Sequence, residues 1–320
     1  MRPCRAIVIG PLLLLFALGC DRRGEIVVFH ATSLRRVFSD AAEELAREAP
    51  RWRVRLEPSG SQVAARKITE LGARADVIAV ADARVVDRML VPRHAGFTLD
   101  FATNEIVLAH KDHSRFTDEI STATLAAVLS RDGVRLGCVD PDLAPIGYHT
   151  LLAWRLCEAP LGAPGLAARL RARCAREHVM PDETELLALL EARAVDYVFL
   201  YRSTAEDHHL KITALPDACS LGRPDLAAAY SAAEVEVRMA QGSPRTRIHG
   251  APIVYGLTIP DSAPNPAGAK RFVALLLGET GRRLLTRAGF RPLRPAVARG
   301  PRPLPAELQA LLGPPGPEPR

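Results

Sequence analysis

From Glu25 onward, short apolar runs alternate with stretches in which apolar residues recur every three or four positions. Residues 26–29 form an unbroken apolar run. Leu34, Val37, Phe38, Ala41, Ala42 and Leu45 then fall at helical spacing, and Trp52, Val54 and Leu56 alternate with charged residues as a strand does. Residues 63–71 read as a helix closed by Gly72, and 77–80 as a third strand. This repetition of strand, turn and helix predicts α/β architecture with a parallel sheet. Further on, the apolar run 134–139 feeds a turn containing Pro141 and Pro145, and Gly147 opens a helical pattern over 148–157. Residues 266–277 and 280–288 are also helical by pattern and could return to cover the first sheet.

Three of these turns carry candidate chemistry. His30-Ala31-Thr32-Ser33 and Ser59-Gly60-Ser61 each place a serine just before a helix. The third, Ala144-Pro145-Ile146-Gly147, begins a helix on a Pro-x-Gly turn, so free backbone N–H groups form an anion site without any cation. One serine in such a turn is most simply a helix cap, worth about 1 kcal/mol. Two serines at the carboxyl edge of one sheet, where open α/β sheets bind ligands, favour binding instead.

The first 19 residues read as an export signal: Arg2 and Arg5 precede an apolar stretch too short to span a bilayer. Ala17-Leu18-Gly19-Cys20 resembles the lipobox of bacterial lipoproteins, with Cys20 as the lipidated residue. Asp21 behind it agrees with retention at the outer face of the cytoplasmic membrane. Loss of the leader lowers the formal charge from +6 to +4, because Arg2 and Arg5 leave and no acid does. That surplus is spread along the chain, and at 5% aromatic residues nothing resembles a nucleic-acid-binding stripe. Of the remaining cysteines, Cys138, Cys157, Cys174 and Cys219 lie in an oxidising compartment where one or two disulfides can form; for any given pair, small buried residues are the expectation.

Several ordered segments carry a family resemblance: His30-Ala31-Thr32-Ser33-Leu34, Gly60-Ser61, Arg66-Lys67-Ile68-Thr69-Glu70-Leu71, Ala75-Asp76-Val77-Ile78-Ala79-Val80-Ala81-Asp82 and Phe101-Ala102-Thr103-Asn104-Glu105. Asp196-Tyr197-Val198-Phe199-Leu200-Tyr201-Arg202-Ser203 and Pro252-Ile253-Val254-Tyr255-Gly256-Leu257-Thr258-Ile259-Pro260 follow in order. Over about 26–297 the chain resembles the archaeal-type tungstate/molybdate-binding proteins of ABC importers. The resemblance implies a type II periplasmic-binding-protein fold: two α/β lobes, each with a central mixed sheet flanked by helices, joined by two crossing strands near Phe101-Ala102-Thr103 and Ile253-Val254-Tyr255. Lobe I would comprise 20–101 with 255–300, and lobe II 102–254. The Pro-rich tail 301–320 is expected to be largely disordered.

By position, the resemblance implies an oxyanion site of Thr32, Ser33, Ser61, Ala144, Pro145, Ile146, Gly147, Glu183 and Tyr201. It departs from the family where Thr32 replaces a glycine and Ala144 an aspartate. Family members with six-fold coordination at the metal use that aspartate together with the glutamate matched by Glu183. Asp140 and Asp142 lie nearby but would point elsewhere.

The expected ligand is molybdate or tungstate, with no cofactor, and the expected partners are an ABC permease and its ATPase, with the chain a monomer tethered by lipid at Cys20. Alternatives are another tetrahedral oxyanion (sulfate, phosphate or chromate), a sensor that binds nothing, or a serine hydrolase using Ser33 or Ser61. The hydrolase has only His30 as a base by sequence position. His208-His209 and His110-x-x-His113 lack further ligands for a metal and read as exposed loop residues. Asp76 and Asp82 read as caps of a strand, and Arg66-Lys67 as a helix face that is solvated or attracts anions.

Overall fold

The computed structural model describes residues 24–240 and 242–312. The expected leader, Cys20 and residues 313–320 lie outside them. In chain order come β1 (Glu25–Ala31), a 3-10 turn (Thr32–Leu34), α1 (Arg35–Glu48), β2 (Arg53–Ser59), α2 (Ser61–Thr69), β3 (Val77–Val80), α3 (Ala83–Met89) and β4 (Thr98–Asn104). Then follow β5 (Ile106–His110), α4 (Leu125–Leu129), β6 (Leu136–Val139), α5 (Pro145–Cys157), α6 (Leu166–Arg173), β7 (Val179–Met180), α7 (Glu183–Glu191), β8 (Tyr197–Tyr201), α8 (Arg202–Asp207) and β9 (Lys211–Ala214). The chain ends with α9 (Asp217–Ser220), α10 (Ala227–Tyr230), the hairpin β10 (Glu234–Val237) and β11 (Thr246–His249), β12 (Ile253–Thr258), α11 (Pro266–Leu277), α12 (Glu279–Arg287), β13 (Arg291–Arg299) and α13 (Ala306–Gln309).

These strands form two main mixed sheets. The six-stranded sheet has the order β13-β4-β12-β3-β1-β2 and so joins the two ends of the chain, while the five-stranded sheet, β7-β6-β8-β5-β9, comes from the middle. β1 pairs in parallel with β2 and β3, whereas β12 runs antiparallel to both β3 and β4. β4 and β12 lie side by side, with Val254 opposite Thr103 and Tyr255 opposite Ala102. The chain leaves the first sheet after Asn104 and returns to it at Ile253. The result is the two-lobe α/β arrangement that the resemblance implies.

Sequence explains the layers. β3 is buried at every position and β1 at all but its first, so both read as unbroken apolar runs, as inner parallel strands do. β2 is an edge strand, and its exposed Arg53 and Arg55 alternate with half-buried Val54 and Leu56. α1 buries Val37, Phe38, Ala41 and Leu45, and Phe38 meets Phe272 of α11 edge-on at 5.4 Å. Burial of one such large apolar side chain is worth roughly 1.5–3 kcal/mol. Asp76 ties the layers by accepting from the Val27 and Asn265 N–H groups, and does not merely cap a strand.

Three expectations from sequence do not hold. Residues 301–312 are ordered: Arg302 N–H bonds the Gly96 carbonyl, its guanidinium pairs with Asp261, Glu307 pairs with Lys270, and Leu308 is fully buried. Proline content opposes regular structure but does not prevent anchoring by individual side chains. Cys138 pairs with Cys174, and Cys157 with Cys219. Burial and cross-linking coincide here, since Cys157 and Cys219 are both buried as well as bonded. His110 is buried, not exposed, and meets Thr117 Oγ1 at 2.9 Å. Among the described residues no helix is long and apolar enough to cross a membrane, and no group of three or more metal-ligating side chains gathers.

Candidate functional site

On the first-sheet side, neither serine caps its helix. Ser33 lies within the 3-10 turn behind Ala31, and Ser61 is the first residue of α2 behind Gly60, with no capping bond from a side chain in either case. Ser61 Oγ instead accepts from the Ala81 N–H at 3.0 Å, and Ser33 Oγ accepts from the Tyr255 hydroxyl at 2.9 Å. A hydroxyl that accepts in this way still has its own hydrogen to donate. Ser61 is fully buried.

On the second-sheet side, Ala144 is the N-cap of α5 and Pro145 its first residue, where a missing N–H costs nothing. Gly147 is required by close packing: a Cβ there would come within 2.6 Å of the Val139 carbonyl and 2.7 Å of Pro141. Its N–H bonds the Ala144 carbonyl at 3.0 Å, so the free donor left at this helix start is the Ile146 N–H. The two turns face each other directly, since a Cβ on Gly60 would sit 2.4 Å from the Leu143 carbonyl and 3.0 Å from Ala144 Cβ. Neither nearby aspartate replaces the carboxylate missing at position 144. Asp140 accepts from the Asp142 N–H, while Asp142 accepts from the Arg238 N–H and pairs with Arg245.

Glu183 opens α7 and is buried, accepting from Thr204 Oγ1 at 2.9 Å and Thr32 Oγ1 at 3.3 Å. The threonine that stands where a glycine is expected therefore holds this carboxyl group. Burial raises the Glu183 pKa to about 7, against the opposing effect of hydrogen bonds from Thr204, Thr32 and Ser33. Beside it lies a cavity of about 100 Å³ lined by Thr32, Ser33, Glu183 and Thr204, with Arg35 and Arg36 also on its wall. That is far below the 300–1,000 Å³ of a drug-sized site and suits a small ion.

Of the residues singled out from sequence, Thr32, Ser33 and Glu183 line this cavity; Ser61, Ala144–Gly147 and Tyr201 do not. These are buried, and Tyr201 connects to it through other side chains. Tyr255 donates to Ser33, its ring packs on Tyr201 at 5.7 Å, and the Tyr201 hydroxyl lies 3.0 Å from His149 Nδ1. The Tyr148 hydroxyl donates to Asp82 at 2.8 Å. Asp82 caps α3 through the Arg84 N–H and also pairs with the Arg84 guanidinium at 2.7 Å. Burial would raise the Asp82 pKa, but Arg84 and His149 outweigh it and hold the carboxyl well below the usual range.

Sequence reasoning missed Tyr255, Thr204 and His149, and it assigned Asp82 only a cap. His149 directly follows the Pro-x-Gly-Tyr turn, which was the one available signal. Arg66 is half-buried, and its guanidinium donates to the carbonyls of Asp142, Arg238 and Met239, while Gln62 donates to that of Pro141. α2 is thereby fastened onto the opposite lobe. His30, the base by sequence position for a hydrolase, meets the Ala31 carbonyl through Nδ1 at 2.8 Å, its Nε2 is buried without a partner among the described residues, and burial lowers its pKa to about 4.

The family model described as bacterial extracellular solute-binding protein matches residues 26–291. A solute-binding protein of Petrotoga mobilis is 36% identical, with 91% of each chain covered. The molybdate/tungstate-binding protein WtpA of Thermococcus kodakarensis is 32% identical, with 94% of each chain covered. Among solved structures, the periplasmic molybdate-binding protein of Azotobacter vinelandii superposes with a TM-score of 0.61 at 17% identity, covering 83% of this chain and 98% of that one. At that identity the likeness concerns the fold.

Proposed function

The chain belongs to the bacterial extracellular solute-binding proteins, and from that premise we propose that it captures molybdate or tungstate and delivers the anion to an ABC permease and its ATPase. The observation that carries this reading is the pair of serines on the first-sheet side. Both accept from neighbouring donors: Ser61 keeps its hydrogen for an anion at the start of α2, and Ser33, whose hydroxyl also interacts with Glu183, lines the small cavity. The proposed ligand set is Thr32, Ser33, Ser61, Ala144, Pro145, Ile146, Gly147, Glu183 and Tyr201, with Tyr255 and Thr204 aligning Ser33 and Glu183. Relatives named as molybdate/tungstate-binding proteins support the choice of ligand. Lipidation at Cys20 would keep a monomeric receptor at the outer face of the cytoplasmic membrane, beside the permease.

One observation favours a second reading. A carboxyl group titrating near neutrality can accept a hydrogen bond from a protonated phosphate. Calorimetric titration of the chain from Asp21 with molybdate, tungstate, sulfate and phosphate separates the two. Molybdate and tungstate should bind most tightly. A hydrogen bond to a charged partner is worth roughly 1.5–3 kcal/mol, so Ser33→Ala and Ser61→Ala should each weaken molybdate binding about ten- to a hundredfold. Phosphate binding tighter than molybdate would decide for the second reading.

A further inference from the structure

His149 is fully buried on α5 and lies between the end of β8 and the start of α3. Its Nδ1 lies 3.0 Å from the Tyr201 hydroxyl at the end of β8. Its Nε2 lies 3.4 Å from Asp82 Oδ2 and has no other partner among the described residues. The groups facing the ring are Asp82 and Arg84 from the start of α3, Tyr148 from its own helix, and Tyr201. No lysine or arginine belongs to the proposed ligand set; Arg35 and Arg36 stand on the cavity wall beside Thr32 and Ser33, and this imidazole is the basic group that contacts Tyr201.

A neutral imidazole carries one N–H. Beside the Asp82 carboxylate that proton belongs on Nε2, because a lone pair there would face negative charge. Nδ1 must then accept, and Tyr201 gives its hydrogen to His149. A phenol engaged in this way turns only lone pairs toward an anion and repels it. An imidazolium reverses the arrangement, since both nitrogens donate: Nδ1–H bonds the Tyr201 oxygen and the phenolic hydrogen is released.

We propose that His149 is a positioning residue of the anion site: it takes up one proton from solvent as the anion binds, and so turns the Tyr201 hydroxyl from a donor to His149 into a donor to the anion. The inference rests on the reading of Tyr201 as a ligand. In the absence of an anion, burial keeps the imidazole neutral, with Asp82 opposing that effect. The added negative charge favours the protonated ring. Asp82 stays ionised throughout and supplies the balancing charge, while the anion gains a hydrogen bond without touching a cation.

The test is calorimetric titration with sodium molybdate in buffers of different ionisation enthalpy at pH 6.5–8, for the parent, His149→Gln and Glu183→Gln. The parent should take up about one proton per anion, with affinity falling by up to about tenfold per pH unit. His149→Gln, whose amide can donate permanently, should lose the uptake at this position and keep only the pH dependence that Glu183 imposes, whereas Glu183→Gln, with its affinity altered, should still take up a proton at His149. Imidazole ¹⁵N shifts of the parent provide a readout independent of any variant's folding, with Nδ1 moving from acceptor to protonated character on addition of molybdate. Uptake unchanged in His149→Gln, or an Nδ1 shift that does not move, overturns the role of His149 alone. If the parent binds no oxyanion at all, the proposed function falls and this inference falls with it.

Discussion

The two sides of the proposed site face one anion with different chemistry. The first-sheet side presents hydroxyls and helix starts, Ser33 and Ser61, held by neutral donors from Tyr255 and Ala81. The second-sheet side brings the titratable groups: Glu183, pushed up to about 7, and His149, lowered by burial. The one carboxylate that the first-sheet side contributes, Asp82, reaches across to Tyr148 and His149. The same division appears in the scaffold. Both disulfides lie in the middle of the chain, around a sheet whose β7 is two residues long, while the first sheet relies on long runs of buried apolar strand. The first side offers mainly hydroxyl and backbone donors, with Arg35 and Arg36 on the cavity wall, and the second carries the groups through which proton occupancy would tune binding.

Removing the cross-links should produce the largest effect and should fall on one side only. Cys157–Cys219 ties the end of α5 to α9 across 62 residues, and a native disulfide typically contributes about 2–4 kcal/mol. Replacing both cysteines by serine should lower the unfolding free energy by that amount in urea denaturation. Hydrogen exchange should rise in β5, β6 and β8 and stay unchanged in β1 and β3. Equal loss of protection in both sheets would show that the two sides are not independent in stability.

Protonation at Glu183 sharpens the same contrast. Its pKa of about 7 in the folded chain exceeds the ordinary carboxylate value of 4.5, so the folded state holds this proton more tightly. Its contribution is full below pH 4.5 and is lost as pH rises through 7, by about 3 kcal/mol when the 2.5-unit difference is converted. Parent and Glu183→Gln compared by denaturation at pH 5 and pH 8.5 isolate this effect, because His149, whose pKa is lowered, contributes in the opposite direction in both proteins. A difference between the two that does not grow with pH would mean that Glu183 is ionised throughout the range.

How far the sequence revealed this follows from the reach of each interaction. The strand–turn–helix units of β1 to β3 were legible because their signals are local: an apolar run, a small polar turn and a 3.6-residue repeat lie within about thirty residues. Ser33 and Ser61 were legible for the same reason. The contacts of Glu183 were not, since Thr32 stands 151 positions away and its hydroxyl aligns only after both sheets have formed. Tyr255 reaches Ser33 across 222 positions, and Arg66 reaches Met239 across 173. The cysteine pairings stay open from sequence on the same ground, with separations of 36 and 62 and no local spacing signal.

The smallest expected effect lies at Ala144, where the two sides meet. With no carboxylate at this position and Asp140 and Asp142 engaged elsewhere, Glu183 is the one acid in the proposed ligand set. A metal oxyanion held here should keep four oxo groups, or gain at most one long contact from Glu183. Discrimination then depends on hydrogen bonding and fit, and molybdate and tungstate have nearly the same tetrahedral size. Their affinities should lie within about one order of magnitude, roughly 1.4 kcal/mol. Ala144→Asp places a carboxylate beside Gly60, against the start of α2, where free N–H groups favour negative charge. From that position it can serve as a second acidic ligand, and the gap between the two anions should widen. Six oxygen ligands in the X-ray absorption spectrum of the molybdate-bound parent would overturn the argument, because a group outside this set would then have filled the shell.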